Sequence, residues 1–310
     1  MFQYNQLKVY FRDQFVDFSQ ANISIANTGF LYGLGAFTGI RAHYNTKHKQ
    51  LYLFRPHDHF QRLYQACKLC YFDSFTTNFT AEKFITVLLE LLGCNNIKED
   101  AYVRVTTFVD EQSIGVQFNG YKDALAMFLY PLGDYVATTG MKCTVSSWRR
   151  VDDNAMPSRA KIVGAYVNTA FSKTEALLSG FDEAIVLDQT GNVVEGSAEN
   201  IFIVRDGTII TPPVTDNILE GVTRRSVITI ARDQGWQVIE RSIDRSELYF
   251  ADEIFLTGTA CRVAPVVQVD HYPISDGTIG PIVQQLQTLY SAIVKGDQPD
   301  YNNWLVPVYQ

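Results

Sequence analysis

The reading of this chain turns on Lys161 to Asn200: K-I-V-G-A-Y at 161–166, a helical segment, then D-E-A-I-V-L-D-Q-T-G-N-V-V-E-G-S-A-E-N at 182–200. The pattern between Lys161 and Glu195 predicts one helix and one hairpin. A lysine amine can form a Schiff base with an aldehyde cofactor. A carboxylate set against a pyridine nitrogen keeps that nitrogen protonated and makes the ring an electron sink. Such a lysine and glutamate are the pair that pyridoxal phosphate chemistry needs.

Outward from this stretch, periodicity and punctuation give a mixture of strands and helices. Residues 7–18 alternate around Arg12-Asp13 and predict a hairpin. Asn22 to Gly35 is turn-rich. Strands are expected at 37–44, 51–54, 101–109, 124–130 and 141–148, and helices from Pro56 and, capped by Thr80 and closed by Gly93, over 82–92. In the second half, a helix from about 164 to 179 is stopped by Gly180. Strands follow at 183–187, 193–195 and 200–204, then a helix over 221–234, a strand at 237–241, a short helix at 246–249, a strand at 253–256 and a last helix over 280–295. Strands and helices lack strict β-α-β order and there is no G-x-G-x-x-G, so mixed sheets are expected rather than a doubly wound nucleotide fold. The punctuation of P-L-G-D-Y-V-A-T-T-G places an interdomain linker at 132–140, between domains 1–131 and 141–310.

The chain has 310 residues, 46% apolar and 19% charged, in the range of a soluble globular protein. A net charge of −7 argues against a nucleic-acid surface. The N-terminal M-F-Q-Y-N-Q-L-K has no apolar signal core, and the apolar runs fall short of the ~20 residues of a membrane helix, so no membrane and a cytoplasmic location are expected. Five cysteines at irregular spacing do not suggest a disulfide scaffold. Cys67 and Cys70 form a lone C-x-x-C on a helix, and His57 and His59 point to different helix faces, so no metal site is expected.

Several separated motifs stand in order along the chain: Y-G-L-G-A-F-T-G-I-R (32–41), A-Y-V-R (101–104), S-S-W-R-R (146–150), K-I-V-G-A-Y, E-G-S-A-E-N, L-E-G-V-T-R-R-S-V (219–227) and G-T-A (258–260). Together they resemble the class IV aminotransferases, the fold-type IV pyridoxal-phosphate enzymes, and within these the branched-chain amino-acid aminotransferases. The resemblance implies a mixed α/β (α+β) fold with a small N-terminal α/β domain, a larger C-terminal domain of mixed sheets, and pyridoxal 5′-phosphate at the domain interface. It implies that Lys161 holds the cofactor as a Schiff base and moves the substrate proton, that Glu195 meets the pyridine nitrogen, and that Tyr166 bonds the 3-hydroxyl. Arg62, Leu219, Val222, Thr223, Gly258 and Thr259 would bind the rest of the cofactor, chiefly its phosphate, as a helix N-terminus and an arginine suit an anion. On the substrate side, Tyr102 and the Thr259-Ala260 amides would receive the α-carboxylate and Arg104 the side-chain carboxylate of glutamate. Phe37, Tyr135 and Tyr32, the last from a partner subunit, would wall an apolar pocket. Arg41 would either order that pocket or make a structural ion pair. The implied reaction moves an amino group between branched-chain L-amino acids and 2-oxoglutarate, in a homodimer or a multiple of dimers.

Two positions depart from the family's usual pattern. Thr38 stands where F-E-G-I-R has glutamate, and Ala165 where the lysine motif has asparagine. Phe37-Thr38 is reminiscent of the aminodeoxychorismate lyases, which share fold and cofactor. The D-amino-acid aminotransferases are a further alternative, but V-D-E-Q-S-I-G (109–115) lacks their R-x-H. A non-enzymatic relic would lack the lysine or the glutamate, and both are here.

Overall fold

The computed structural model describes residues 7–133 and 140–309. The described residues fall into two compact units. Those up to Gly133, with Ala160–Gly164 and those from Ile293 onward, form the first; those from 140 to Arg159, with Ala165–Ala292, form the second.

In the first unit, β1 (Lys8–Phe11) and β2 (Gln14–Asp17) make a hairpin. Its turn residues Arg12 and Asp13 both have positive φ, as a tight two-residue turn of this hand requires. A five-residue helix α1 (Thr28–Tyr32) follows, capped by the Asn27 side chain on the Phe30 amide. Next come β3 (Gly35–Asn45), β4 (Gln50–Phe54), α2 (Pro56–Leu69), α3 (Asp73–Asn78) and α4 (Ala81–Cys94). β5 (Ala101–Val109) and β6 (Asp123–Pro131) complete this run. Thr80 caps α4 as expected, by accepting from the Lys83 amide. Gly93 does not close α4, which runs to Cys94, because that glycine takes no left-handed turn.

The second unit holds β7 (Met141–Arg149), α5 (Tyr166–Leu178), β8 (Glu183–Leu187), β9 (Asn192–Gly196), β10 (Asn200–Arg205) and β11 (Thr208–Thr211). It continues with α6 (Val222–Asp233), β12 (Val238–Glu240), β13 (Ile243–Asp244), β14 (Glu253–Gly258), β15 (Arg262–Val269), β16 (Tyr272–Pro273) and most of α7 (Pro281–Val294). The last strand, β17 (Leu305–Pro307), returns to the first unit.

The first sheet has the order β17-β4-β3-β5-β6-β1-β2, antiparallel throughout. Strict alternation along β5 sends Val103, Val105 and Thr107 into the core and leaves Tyr102, Arg104 and Thr106 half-buried on the other face. The second sheet is mixed, with β7 parallel to both β8 and β15. Pairing of β9 with β10 closes the path β10-β14-β15-β7-β8-β9 on itself around Cys143, Ile185, Val193, Ile201 and Leu256. Among the described residues no helix is long and apolar enough to cross a membrane.

The expected division assigned everything from 141 onward to the second domain; two segments belong instead with the first unit. Ile162 bridges Ala36, and β17 pairs with β4. Both segments satisfy open backbone edges of the first sheet, so strand pairing overrides chain order.

Candidate active site

The functional residues assemble as two groups, one in each unit. The first is built on β3. Its residues 35–42 pair with β5 in a register that sets Phe37 opposite Thr106, Gly39 opposite Arg104 and Arg41 opposite Tyr102. These side chains share one face. On the other edge of β3, the Phe37 amide donates to the Lys161 carbonyl (2.9 Å) and the Val163 amide to the Gly35 carbonyl (2.7 Å). Main-chain pairing thus fixes Lys161 beside Phe37. Its Nζ sits 5.1 Å from the Phe37 ring centre, and the Arg104 guanidinium lies over the same ring at 3.3 Å. The Arg104 Nε also donates to Thr106 Oγ1 at 3.2 Å. Lys161 is half-buried on an aromatic ring rather than a solvated amine.

Tyr102 packs across Gly39: a Cβ there would fall 1.8 Å from the tyrosine oxygen. Glycine at 39 is therefore required for this placement of the phenol. Tyr32 lies at the end of α1, exposed, with its hydroxyl donating to the Ile114 carbonyl at 3.2 Å. Tyr135 lies outside the described residues.

Arg41 is fully buried, and its Nη2 donates to the carbonyls of Leu132 and of Gly133 (2.8 Å). Asp100 stands 3.7 Å from that guanidinium, 3.4 Å from His43 Nδ1, and accepts from the Tyr44 amide at 2.8 Å. Of the two roles expected, the structure shows the ion pair: Arg41 stands beside Asp100 and its carbonyl bonds tether the chain at the end of β6. Burial alone would raise the Asp100 carboxyl. Hydrogen bonding and charge from His43, the Tyr44 amide and the Arg41 charge outweigh it and bring the group down to about 2. A carboxyl lowered on folding stabilises the fold above its unfolded pKa, and that stability is lost as pH falls through the folded value. Wild-type protein is therefore expected to lose about 1–2 kcal/mol from this group between roughly pH 4 and pH 2, allowing for its partial exposure. Asp100→Asn should remove that part of the acid limb and lower the neutral-pH melting temperature, both read by thermal denaturation against pH.

Arg62, on α2, places its Nη2 3.2 Å from Thr38 Oγ1. His59 is buried on the same helix, whereas His57 is exposed. Cys67 and Cys70 are buried free thiols; burial pushes the Cys70 thiol up to about 11 and the Cys67 thiol higher still. Among the described residues no group of three His, Cys, Asp or Glu side chains is arranged to hold a metal ion.

The second group lies on the outer face of the second sheet. Glu195 on β9 is opposite Asn200 on β10, and Asn200 is opposite Thr257 on β14, so the three side chains share that face. Glu195 is buried, and its donors include Arg150 Nη2 at 2.9 Å, the Leu219 amide at 3.2 Å and Asn200 Nδ2 at 3.4 Å. Asn200 Nδ2 also donates to the Leu219 carbonyl at 2.9 Å. A Cβ at Gly221 would fall 2.1 Å from Asn200 Oδ1, so only glycine lets the start of α6 approach this asparagine so closely.

Gly221 is the N-cap of α6 and supplies no side chain to its first amides. Val222 and Thr223, buried, begin the helix. Uncapped N–H groups at the positive end of a twelve-residue helix suit an anion. Thr257 Oγ1 is buried on this face without a hydrogen-bond partner among the described residues, an uncommon condition that a bound polar group would relieve. Gly258, Thr259 and Ala260 follow at the end of β14, half-buried. Tyr166 is the first residue of α5, also half-buried.

Sequence reasoning assigned no role to Arg150, Asn200 or Thr257. Asn200 closes the quoted E-G-S-A-E-N, and a tight β9–β10 turn would have set it against Glu195. Arg150 closes the quoted S-S-W-R-R, but nothing local points it at Glu195, which it reaches through the β7-β8-β9 order.

The chain matches the family described as Amino-transferase class IV over residues 35–269. It is 44% identical over 302 residues to a probable branched-chain-amino-acid aminotransferase of Aquifex aeolicus, covering 97% of this chain and 96% of that one. Among solved structures it is similar to the branched-chain aminotransferase of Thermoproteus uzoniensis with norvaline (TM-score 0.92, 40% identity, 98% and 99% of the two chains). It is likewise similar to the branched-chain amino acid aminotransferase of Thermobaculum terrenum in its PLP-form (TM-score 0.92, 30% identity, 99% and 100% of the two chains).

Proposed function

Because the chain belongs to the class IV aminotransferases, we propose that it moves the amino group between branched-chain L-amino acids and 2-oxoglutarate with pyridoxal 5′-phosphate as cofactor. The observation that carries this reading is the face of β3 and β5 where Lys161, Phe37, Tyr102 and Arg104 gather. When bound, pyridoxal 5′-phosphate supplies an electrophilic carbonyl and a ring that accepts the electron pair left on the substrate Cα.

The protein's own groups do the remainder. The Lys161 amine anchors the cofactor and takes and returns the proton at the substrate Cα. Main-chain pairing of 161–163 with β3 limits where that amine can reach, so orientation is set before substrate arrives. Glu195 accepts the pyridine N–H, and the donors Arg150, Leu219 and Asn200 hold it as a carboxylate in place. Tyr166 donates to the 3-hydroxyl oxygen. The α6 amides, Thr223 and Arg62 take the phosphate, with Leu219, Val222, Gly258 and Thr259 lining the cofactor.

Tyr102 and the Thr259-Ala260 amides receive the α-carboxylate. Phe37 gives an aliphatic side chain an apolar wall. Arg104 lies over that ring, and the donors at the edge of its guanidinium plane serve a glutamate side chain without breaking the wall. A homodimer, or a multiple of it, is the proposed working form. The exposed side chains of Ile25, Phe30, Leu31, Ile114 and Val116 in the first unit support it.

Gly39→Ala tests the Tyr102 assignment. The new methyl displaces the phenol while leaving Lys161 and the cofactor groups in place. We expect kcat/KM for every amino acid to fall about 10- to 100-fold with little change in cofactor content, since displacements near 1 Å cost this much. The substrate assignment is tested by steady-state transamination with 2-oxoglutarate. L-leucine, L-isoleucine and L-valine should turn over and D-alanine should not; turnover of D-alanine alone, or pyruvate release from aminodeoxychorismate, would replace the reading.

A further inference from the structure

We propose that Thr38 and His59 are a positioning pair that sets the Arg62 guanidinium for its phosphate, an inference that rests on the reading of Arg62 as a phosphate ligand. Thr38 is fully buried on β3, and its side chain points to the face covered by α2. Its hydroxyl meets two groups, Arg62 Nη2 at 3.2 Å and His59 Nδ1 at 2.8 Å. His59 and Arg62 are three apart on α2 and so lie on one helix face.

The chemistry of the guanidinium fixes the direction of its bond. Arginine can only donate, so Thr38 Oγ1 accepts from Arg62. The hydroxyl also makes a 2.8 Å hydrogen bond with His59 Nδ1, whose direction follows the imidazole tautomer. An unconstrained hydroxyl turns freely about its C–O bond. Here the hydrogen bond to the imidazole fixes that rotation while the oxygen accepts from Arg62. Thr38 is itself held by a central strand paired along its length with β5. A backbone-fixed acceptor therefore occupies one of the five guanidinium donors and removes rotational freedom from a long side chain.

A cation ordered in this way binds a phosphate more tightly than a mobile one, because less entropy is lost on binding. Thr38 is also the position where the family's usual glutamate is replaced. The pair gives that departure a physical role: an uncharged acceptor holds the arginine, and a histidine holds the acceptor.

The test uses full-length protein freed of cofactor, with dissociation constants measured for pyridoxal 5′-phosphate and for pyridoxal, which lacks the phosphate. The variants are T38V, which keeps the shape and loses the hydroxyl, T38S, which keeps the hydroxyl, and R62M. We expect T38V to weaken pyridoxal 5′-phosphate about 5- to 20-fold, in keeping with loss of a hydrogen bond to a charged group. Its affinity for pyridoxal should stay within about twofold, and T38S should match wild type with both ligands. R62M should show a larger loss, again confined to the phosphorylated ligand. T38V binding both ligands as wild type does, T38V losing both equally, or T38S losing as much as T38V would each overturn the pair. R62M binding pyridoxal 5′-phosphate normally would overturn the phosphate reading of Arg62 and the pair with it. A phosphate-selective loss in R62M with a silent T38V removes the pair alone.

Discussion

Lys161→Ala is expected to lower transamination about 10⁴-fold or more while leaving the fold intact. Two proposed functions disappear with the amine: the covalent anchor for the cofactor and the proton carrier at the substrate Cα. General acid–base catalysis alone is worth about 10²–10⁴. Losing the nucleophilic anchor adds to that. The fold survives because the Lys161 residue is tied in by its backbone, through the Phe37 amide on its carbonyl and the neighbouring Ala36–Ile162 bridge. The contact of its side chain with the Phe37 ring is worth about 0.5–1 kcal/mol. Circular dichroism and a melting temperature within a few degrees of wild type would separate lost chemistry from lost structure. A K161A protein retaining most of its turnover would remove the lysine from the mechanism.

The second large effect is expected at Glu195, and it falls on catalysis and stability together. One carboxylate oxygen accepts from Arg150 and the other from the Leu219 amide and Asn200. Glutamine has one acceptor oxygen, so its amide nitrogen must face a donor on one side or the other. Glu195→Gln should therefore cost about 1–3 kcal/mol. Glu195→Ala should cost about 3–5 kcal/mol, because it leaves the Arg150 charge largely buried without its partner. In activity, E195Q should fall about 10²–10³-fold, the scale of losing a preorganised charge that stabilises the reacting state. Urea denaturation and steady-state rates read the two effects separately. An E195Q enzyme with normal rates would show that the carboxylate has no part in activating the cofactor ring.

Much of this architecture is legible in the sequence because it is local. The alternation of A-Y-V-R-V-T-T-F-V is enough to give β5 and to put Tyr102 and Arg104 on one face. Thr80 before an apolar-periodic run gives the start of α4, and Gly180, with positive φ, marks the end of α5. What sequence does not reveal is either short or non-local. α1 has five residues, too few for a periodic signal, inside a stretch whose turn residues argue for a loop. β15 carries Pro265, which reads as a breaker. β17 has three residues and exists as a strand through its pairing with β4.

The site follows the same rule. Lys161 and Glu195 stand out through the motifs around them. Sequence leaves Arg41 open between two roles, and its ion pair with Asp100 and bonds to the Leu132 and Gly133 carbonyls come from residues far along the chain. Arg150 on Glu195, the Tyr102 phenol over Gly39, and Thr38 between His59 and Arg62 depend on strand order and helix docking, which no local window contains.

The most direct test of the central claim is a half-reaction. Purified protein loaded with pyridoxal 5′-phosphate is mixed with one amino acid at a time, without an acceptor, and the cofactor's absorbance is followed. L-leucine and L-glutamate are each expected to convert the band of the lysine-bound cofactor to that of pyridoxamine phosphate, and K161A to show no such conversion. A cofactor-loaded wild-type protein that stays unchanged with both amino acids, or that responds to D-alanine alone, would contradict that claim.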